Sequence, residues 1–301
     1  MTCLPFARRR STQVVGLLLA GLVGVAGCSG GDDSAPPVAT PSFVANRSRA
    51  PLGSPVDVTY RFVVDGQVPP ADDDYKVMVH FLDGDEEQLW TDDHDPPVPT
   101  RQWKAGQTVE YTRTVFVPVF PYVGPISVHM GLYSPKTGLR LPLSGETTGQ
   151  RSYRVGALEL VPRPEDAFII FKDGWHNAEV ARENAAVEWQ WTKRDAVLAF
   201  RNPGRDAVFY FHADGRPDFL GKPIGVTLRI GDQTIDQFEL TTQAEVVRKI
   251  SIAAAQFGTG ESVDLHIQVS GTFVPATVPQ AESADARELG IRVFHAYIEP
   301  K

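Results

Sequence analysis

Residues 56–64, VDVTYRFVV, alternate so regularly that few elements can accommodate them. Val56, Val58, Tyr60, Phe62 and Val64 fall on one face, and Asp57, Thr59, Arg61 and Val63 on the other, the period of a half-buried β-strand. YKVMVHFLD (75–83) and TVEYTRTVFVPV (108–119) repeat the theme. Between such runs lie DG, KAGQ, PKTG and SGETTG, the chemistry of tight turns. Residues 43–162 therefore predict an antiparallel β-sandwich, immunoglobulin-like in plan. The segment LVPRPEDAF (160–168) reads as a linker with a boundary near Arg163. Beyond it DAVLAFRN, AVFYFHADG, IGVTLRIGDQTIDQFEL and LGIRVFHAYIE alternate again, so residues 166–301 predict a second sandwich, jelly-roll-like in its longer strands. The one stretch that could be helical is Glu179–Ala186. The expected fold class is all-β.

The chain opens with Arg8, Arg9 and Arg10, an uncharged apolar run from Val14 to Val25, and the small residues Ala26 and Gly27. These are the three regions of a signal peptide in order, over residues 1–27. The apolar run is shorter than the about 20 residues a bilayer core requires. Of the two cysteines, Cys3 leaves with such a leader and Cys28 remains, so no internal disulfide can form and stability must come from hydrophobic cores. Val25-Ala26-Gly27-Cys28 resembles the lipobox of bacterial lipoproteins. That resemblance implies that Cys28 is acylated and becomes the first mature residue, making the lipid bilayer a partner. Two or three acyl chains at about 0.8 kcal/mol per buried methylene form a stable anchor where one does not. The alternative is an ordinary secretory signal with an incidental Cys28. Residues 28–42 are small, polar and proline-containing, and read as a flexible tether. Ser29, where aspartate would favour inner-membrane retention, implies by the same resemblance the periplasmic face of the outer membrane in a Gram-negative source.

Net charge is −8, and removal of the three leader arginines takes it to about −11. Nucleic acid is excluded as a partner, because phosphate recognition requires a concentrated basic surface.

Asp92, Asp93, His94 and Asp95 have the chemistry to ligate calcium or a harder transition metal. Four adjacent residues seldom face one ion, and Pro96-Pro97 follows, so the other reading is turn capping through backbone N–H groups and no metal is assigned. His80 and His129 lie in strand-like runs and could approach each other across a sandwich. Asp92-Asp93-His94, Pro96-Pro97, Trp103, Gly106, Gly131-Leu132-Tyr133, Thr137-Gly138 and Arg140-Leu141-Pro142 together resemble an accessory sandwich domain of bacterial lipoproteins and of the soluble tails of envelope glycosyltransferases. That family implies fold and envelope context and no catalytic residue.

In the second half Gly174, Trp175, Glu179, Trp189, Trp191, Asn202, Pro203, Phe273, Pro275, Asp285, Arg287, Leu289 and Gly290 resemble the marks of a galactose-binding-type sandwich found in polysaccharide-handling envelope proteins. Trp189 and Trp191, two apart on a strand with Val187, share one face, as a sugar-stacking platform or as core. Trp175 and His176, beside Glu179 in a turn-like region, are the expected exposed recognition group, with Arg287 completing a sugar-binding edge. An Arg287–Glu179 ion pair tying the two ends of the domain together is the competing reading, and a sealed pair cannot also serve a ligand. No nucleophile elbow, zinc helix, phosphate loop or dinucleotide fingerprint is present, and no cofactor is expected. Paired glycosidase carboxylates are a spatial feature that sequence does not reveal. The expectation is a lipid-anchored, non-catalytic envelope protein that binds carbohydrate or polysaccharide; the alternative is a protein-interaction scaffold of an envelope assembly.

Overall fold

Alternation becomes two stacked pairs of sheets in the computed structural model, which describes residues 35–65, 74–119, 122–182 and 187–301. The leader, Cys28 and the first part of the tether lie outside the described residues. The first half contains β1 (Ala39–Ala45), β2 (Arg49–Pro51), β3 (Pro55–Val64), β4 (Lys76–Leu82), β5 (Gln88–Thr91), β6 (Thr108–Phe116), β7 (Gly124–Tyr133), β8 (Glu146–Thr147) and β9 (Tyr153–Val161). One sheet runs β1-β3-β6; the other runs β2-β9-β7-β4-β5, with β8 beside β9. All pairings are antiparallel except β2 with β9. Val56, Val58, Tyr60, Phe62 and Val64 are all buried between the sheets, as the alternation predicts. Each such burial contributes about 1.5–3 kcal/mol. Trp103 closes this core and satisfies its indole by donating to the Val98 carbonyl at 2.9 Å.

The second half contains β10 (Ile169–Phe171), β11 (Glu179–Val180), β12 (Glu188–Trp191), β13 (Asp195–Arg201), β14 (Ala207–Gly215), β15 (Ile224–Ile230), β16 (Gln233–Leu240), β17 (Val246–Ile252), β18 (Ser262–Val269) and β19 (Ile291–Pro300). They form two five-stranded sheets, β10-β13-β18-β15-β16 and β11-β12-β19-β14-β17. Leu198, Phe200, Phe209, Phe211, Leu228 and Leu265 fill the space between them. The protein is thus all-β, built of two β-sandwiches.

Three local expectations change. Ala39–Ser42, assigned to the tether, belong to β1, where Ala39 pairs with Val64 and is fully buried. Glu179 and Val180, the start of the helical candidate, form β11 against β12, because pairing with Trp189 and Glu188 satisfies their backbones. The only α-helix among the described residues is instead α1 (Pro217–Leu220), a single turn opened by proline at its first position and closed by Gly221 at φ 64°.

The linker is docked. Ala167 is buried with Phe116 of β6, Tyr210 of β14 and Tyr297 of β19 in a small cluster where the sandwiches meet. Arg47–Glu299 (2.6 Å) and Lys249–Asp57 (2.5 Å) flank this joint. Residues 35–301 accordingly form one compact unit.

Candidate functional site

The outer face of the β12-β19-β14 sheet carries an unusual concentration of aromatic and charged groups. On β14, Phe209, Phe211 and Ala213 point into the core, which sends Tyr210, His212 and Asp214 outward. On β19 the register slips between the pairs His212–His295 and Ala213–Val293, so Phe294 is an extra residue. This bulge places Phe294 and His295 on the outward face together, the re-aiming of side chains that bulges provide beside functional sites.

Asp214, 1% exposed, chelates Arg292 through both carboxylate oxygens, with Arg292 Nε 2.8 Å from Oδ1. Burial pushes the Asp214 carboxyl up, and the Arg292 hydrogen bonds oppose it. The paired guanidinium lies over the rings of Trp189 (5.0 Å), Phe294 (5.2 Å) and Trp191 (5.8 Å). One row along, His212 Nε2 is 2.9 Å from Glu245 Oε2 and its Nδ1 is 3.1 Å from Nδ1 of His295. The His212 hydrogen bond holds the Glu245 carboxyl below its ordinary range. Phe116, from the first sandwich, stacks on His295 at 4.3 Å and on His212 at 5.7 Å.

A cleft between the sandwiches opens beside this face. One hollow, about 700 Å³, runs past Trp189 and Gln190 to Tyr122 and Arg163. A second, about 510 Å³, runs past His212 and Glu245 on one side and Asp92 and Arg113 on the other. Gln88, Leu89, Pro118, Glu188, Phe294 and His295 line both, which makes the two one elongated groove. These volumes lie in the range of small-molecule sites.

The acidic quartet at 92–95 is divided by its extended backbone. Asp92 receives Tyr60 Oη (2.9 Å) and a two-pronged Arg113, forming a rigid wall of the groove. His94, buried, bonds the Tyr111 hydroxyl at 2.6 Å, and burial lowers its pKa. Asp93 accepts the Val79 N–H, while Asp95 lies 3.7 Å from Lys76. Among the described residues no three His, Cys, Asp or Glu side chains are disposed to hold a metal ion. His80 and His129 are neighbours as expected, but as directly opposed residues of β4 and β7 within one sheet rather than across the sandwich.

The expected recognition edge is largely committed to structure. Trp175 is half-buried, donates its indole N–H to the Val197 carbonyl at 2.9 Å, and meets Phe171 edge-on at 4.6 Å. His176 Nε2 lies 2.8 Å from the Glu288 carbonyl. Arg287 pairs with Glu179 at 2.8 Å and with Asp285 at 2.6 Å, so the ends of the domain are tied by the ion pair. The two strand tryptophans separate in role: Trp191 is buried against Phe273 and Leu289, whereas Trp189 is half-buried and lines the groove.

His212, Asp214, Glu245, Arg292, Phe294 and His295 escaped the sequence reading. One signal was available: the tripeptide Phe-His-Ala occurs at 211–213 and again at 294–296, each time inside a strand-like run.

No protein-family model matches this sequence, and no curated protein matches it. Among solved structures it is similar to a GH115 4-O-methyl-α-glucuronidase (14% identity over 49% of this chain and 19% of that one, TM-score 0.30). It is also similar to the secreted serine protease VesC of Vibrio cholerae (11% identity, 87% of this chain and 51% of that one, TM-score 0.25). A third is the CBM22-1-CBM22-2 tandem of Paenibacillus barcinonensis Xyn10C (10% identity, 86% of this chain and 94% of that one, TM-score 0.28). The chain spans about a fifth and about half of the first two. At these TM-scores the likenesses carry no argument, and the fold stands on its strand pairings.

Proposed function

We propose that this chain is an exported envelope protein, lipid-anchored through Cys28 and without catalytic activity, that binds carbohydrate or polysaccharide in the groove between its sandwiches. The observation that carries the reading is the groove itself: Trp189 and Phe294 supply apolar ring faces, and Gln88, Glu188, Gln190 and His295 stand along the same walls. Sugar rings offer an apolar face to an aromatic ring and hydroxyls to amides and carboxylates. The Asp214–Arg292 pair fixes the platform, since a side chain held by two hydrogen bonds loses little further freedom on binding.

The non-catalytic reading draws support from the same geometry. A glycosidase acid must stay protonated near neutral pH. Here the His212 hydrogen bond holds Glu245 below its ordinary range, and Asp92 and Asp214 each commit both carboxylate oxygens to an arginine, so neither presents a carboxyl to a glycosidic oxygen. The anchor rests on the lipobox resemblance at residues 25–28, and Ser29 favours the periplasmic face of the outer membrane in a Gram-negative source. The reading of the first sandwich as immunoglobulin-like in plan draws support from its three-stranded sheet, which faces a longer one whose β2 edge runs parallel to β9.

A second reading, a protein-docking scaffold, draws on Phe168 (53% exposed) and Ile170 (61% exposed) at the β10 edge. A glycan-array screen of the full chain, with Trp189→Ala alongside, decides between them. Retention of at least one glycan class, lost in the variant, is expected. No retained glycan overturns the carbohydrate reading, and a partner cross-linked at Phe168 or Ile170 then favours the second.

A further inference from the structure

Several partly buried arginines among the described residues are matched to acids. Arg113 chelates Asp92, Arg292 chelates Asp214, and Arg248 chelates Asp236, each through two hydrogen bonds. Arg163 differs. It stands in the linker at one end of the larger hollow and forms part of that hollow's lining. Its Nη2 donates to the Ala167 carbonyl at 2.6 Å, and its guanidinium sits 4.8 Å from the Phe168 ring. Its Nε is shielded from solvent and has no hydrogen-bond partner among the described residues. Among the described side chains, which do not include that of Asp166, no carboxylate lies in ion-pair contact with it. Burial lowers its pKa, the mark of a cation that has lost water without gaining a counter-charge.

Gly53, which lines the same hollow, adopts φ 78°, where a side chain would be strained, and a Cβ there would lie 3.1 Å from Val119 and 3.7 Å from Arg163 Nη1, so the groove wall beside the guanidinium is bare backbone. Of the acids lining the same hollow, Asp83 already accepts the N–H groups of Asp85 and Glu87. Glu188 stands with Trp189 and Gln190 on β12.

We propose that the groove selects acidic saccharides, with a ligand carboxylate or equivalent anion docking on Arg163 while a neighbouring ring rests on Trp189. This inference rests on the carbohydrate reading and narrows its substrate class. A planar guanidinium matches a carboxylate in two-pronged geometry, and the pairing strengthens in a partly desolvated site.

The test uses the full chain with galacturonate and glucuronate oligomers, each compared with the same oligomer after reduction of its carboxylates to alcohols. The expected result is at least about tenfold weaker binding after reduction. Arg163→Gln should remove that preference while the chain stays folded at the assay temperature, and Arg163→Lys, which keeps the charge, should retain part of it. Equal binding of acidic and reduced oligomers overturns the inference and leaves the carbohydrate reading standing. An acid preference that survives Arg163→Gln overturns the assignment to Arg163. Binding of neither form by a chain that retains neutral glycans on the array also overturns the inference alone, whereas an array with no retained glycan overturns both.

Discussion

His212 and His295 face each other from adjacent strands with Nδ1 atoms 3.1 Å apart, beneath the ring of a phenylalanine from the other sandwich. Burial, and secondarily the nearness of His212, pushes the His295 imidazole down to about 3. An unfolded histidine titrates near 6.5. Between these values the unfolded chain binds a proton that the folded chain refuses, so the contribution is fully present above about pH 6.5 and declines as pH falls.

Urea unfolding at pH 8 and pH 5 should therefore show this single group removing about 2 kcal/mol at the lower pH. His80, His94 and His129, also lowered by burial, add to the total slope. The His295→Gln variant isolates the term: its pH dependence should be shallower by about that amount. Identical slopes in variant and parent would show that His295 titrates freely.

Asp214 is almost wholly buried against Arg292, so removing either partner leaves an uncompensated charge. Asp214→Ala should cost about 3–5 kcal/mol in chemical denaturation, and Arg292→Met a comparable amount. The double change Asp214→Leu with Arg292→Met should recover most of the loss, because apolar pairs of similar volume replace buried ion pairs at little cost. Additive losses in the double variant would contradict this.

Gly174 has φ 84°, and a Cβ there would come within 1.9 Å of the Asp195 carbonyl oxygen, a backbone atom with nowhere to move. Gly174→Ala should cost more than about 3 kcal/mol, from strain and overlap together. Gly204, at φ 63° with open space around it, is the control: Gly204→Ala should cost about 1 kcal/mol. Equal costs at the two positions would refute the steric account.

The sandwiches were legible because burial imposes a period of two, and Val56 to Val64 display it without interruption. The groove was not, because it is assembled from β5, β12 and β19, and from a bulge at Phe294 that alternation cannot foresee. Trp189 and Trp191 share a face in sequence, yet only the loops carrying Phe273 and Leu289 decide that Trp191 is covered. The Arg287–Glu179 pair was readable as one of two alternatives, since a half-buried arginine near the chain end needs an acid. Trp175 looked exposed because turn-like sequence does not reveal that its indole reaches the Val197 carbonyl.

The most direct test of the account is calorimetric binding of an array-identified oligosaccharide to the full chain, to Trp189→Ala and to Trp175→Ala. Trp189→Ala should stay folded and bind about tenfold or more weakly. Trp175→Ala should lose about 2–3 kcal/mol of stability, in proportion to its partial burial, and keep its affinity while folded. The reverse pattern, affinity lost at Trp175 and kept at Trp189, would contradict the groove and return the site to the Trp175 edge.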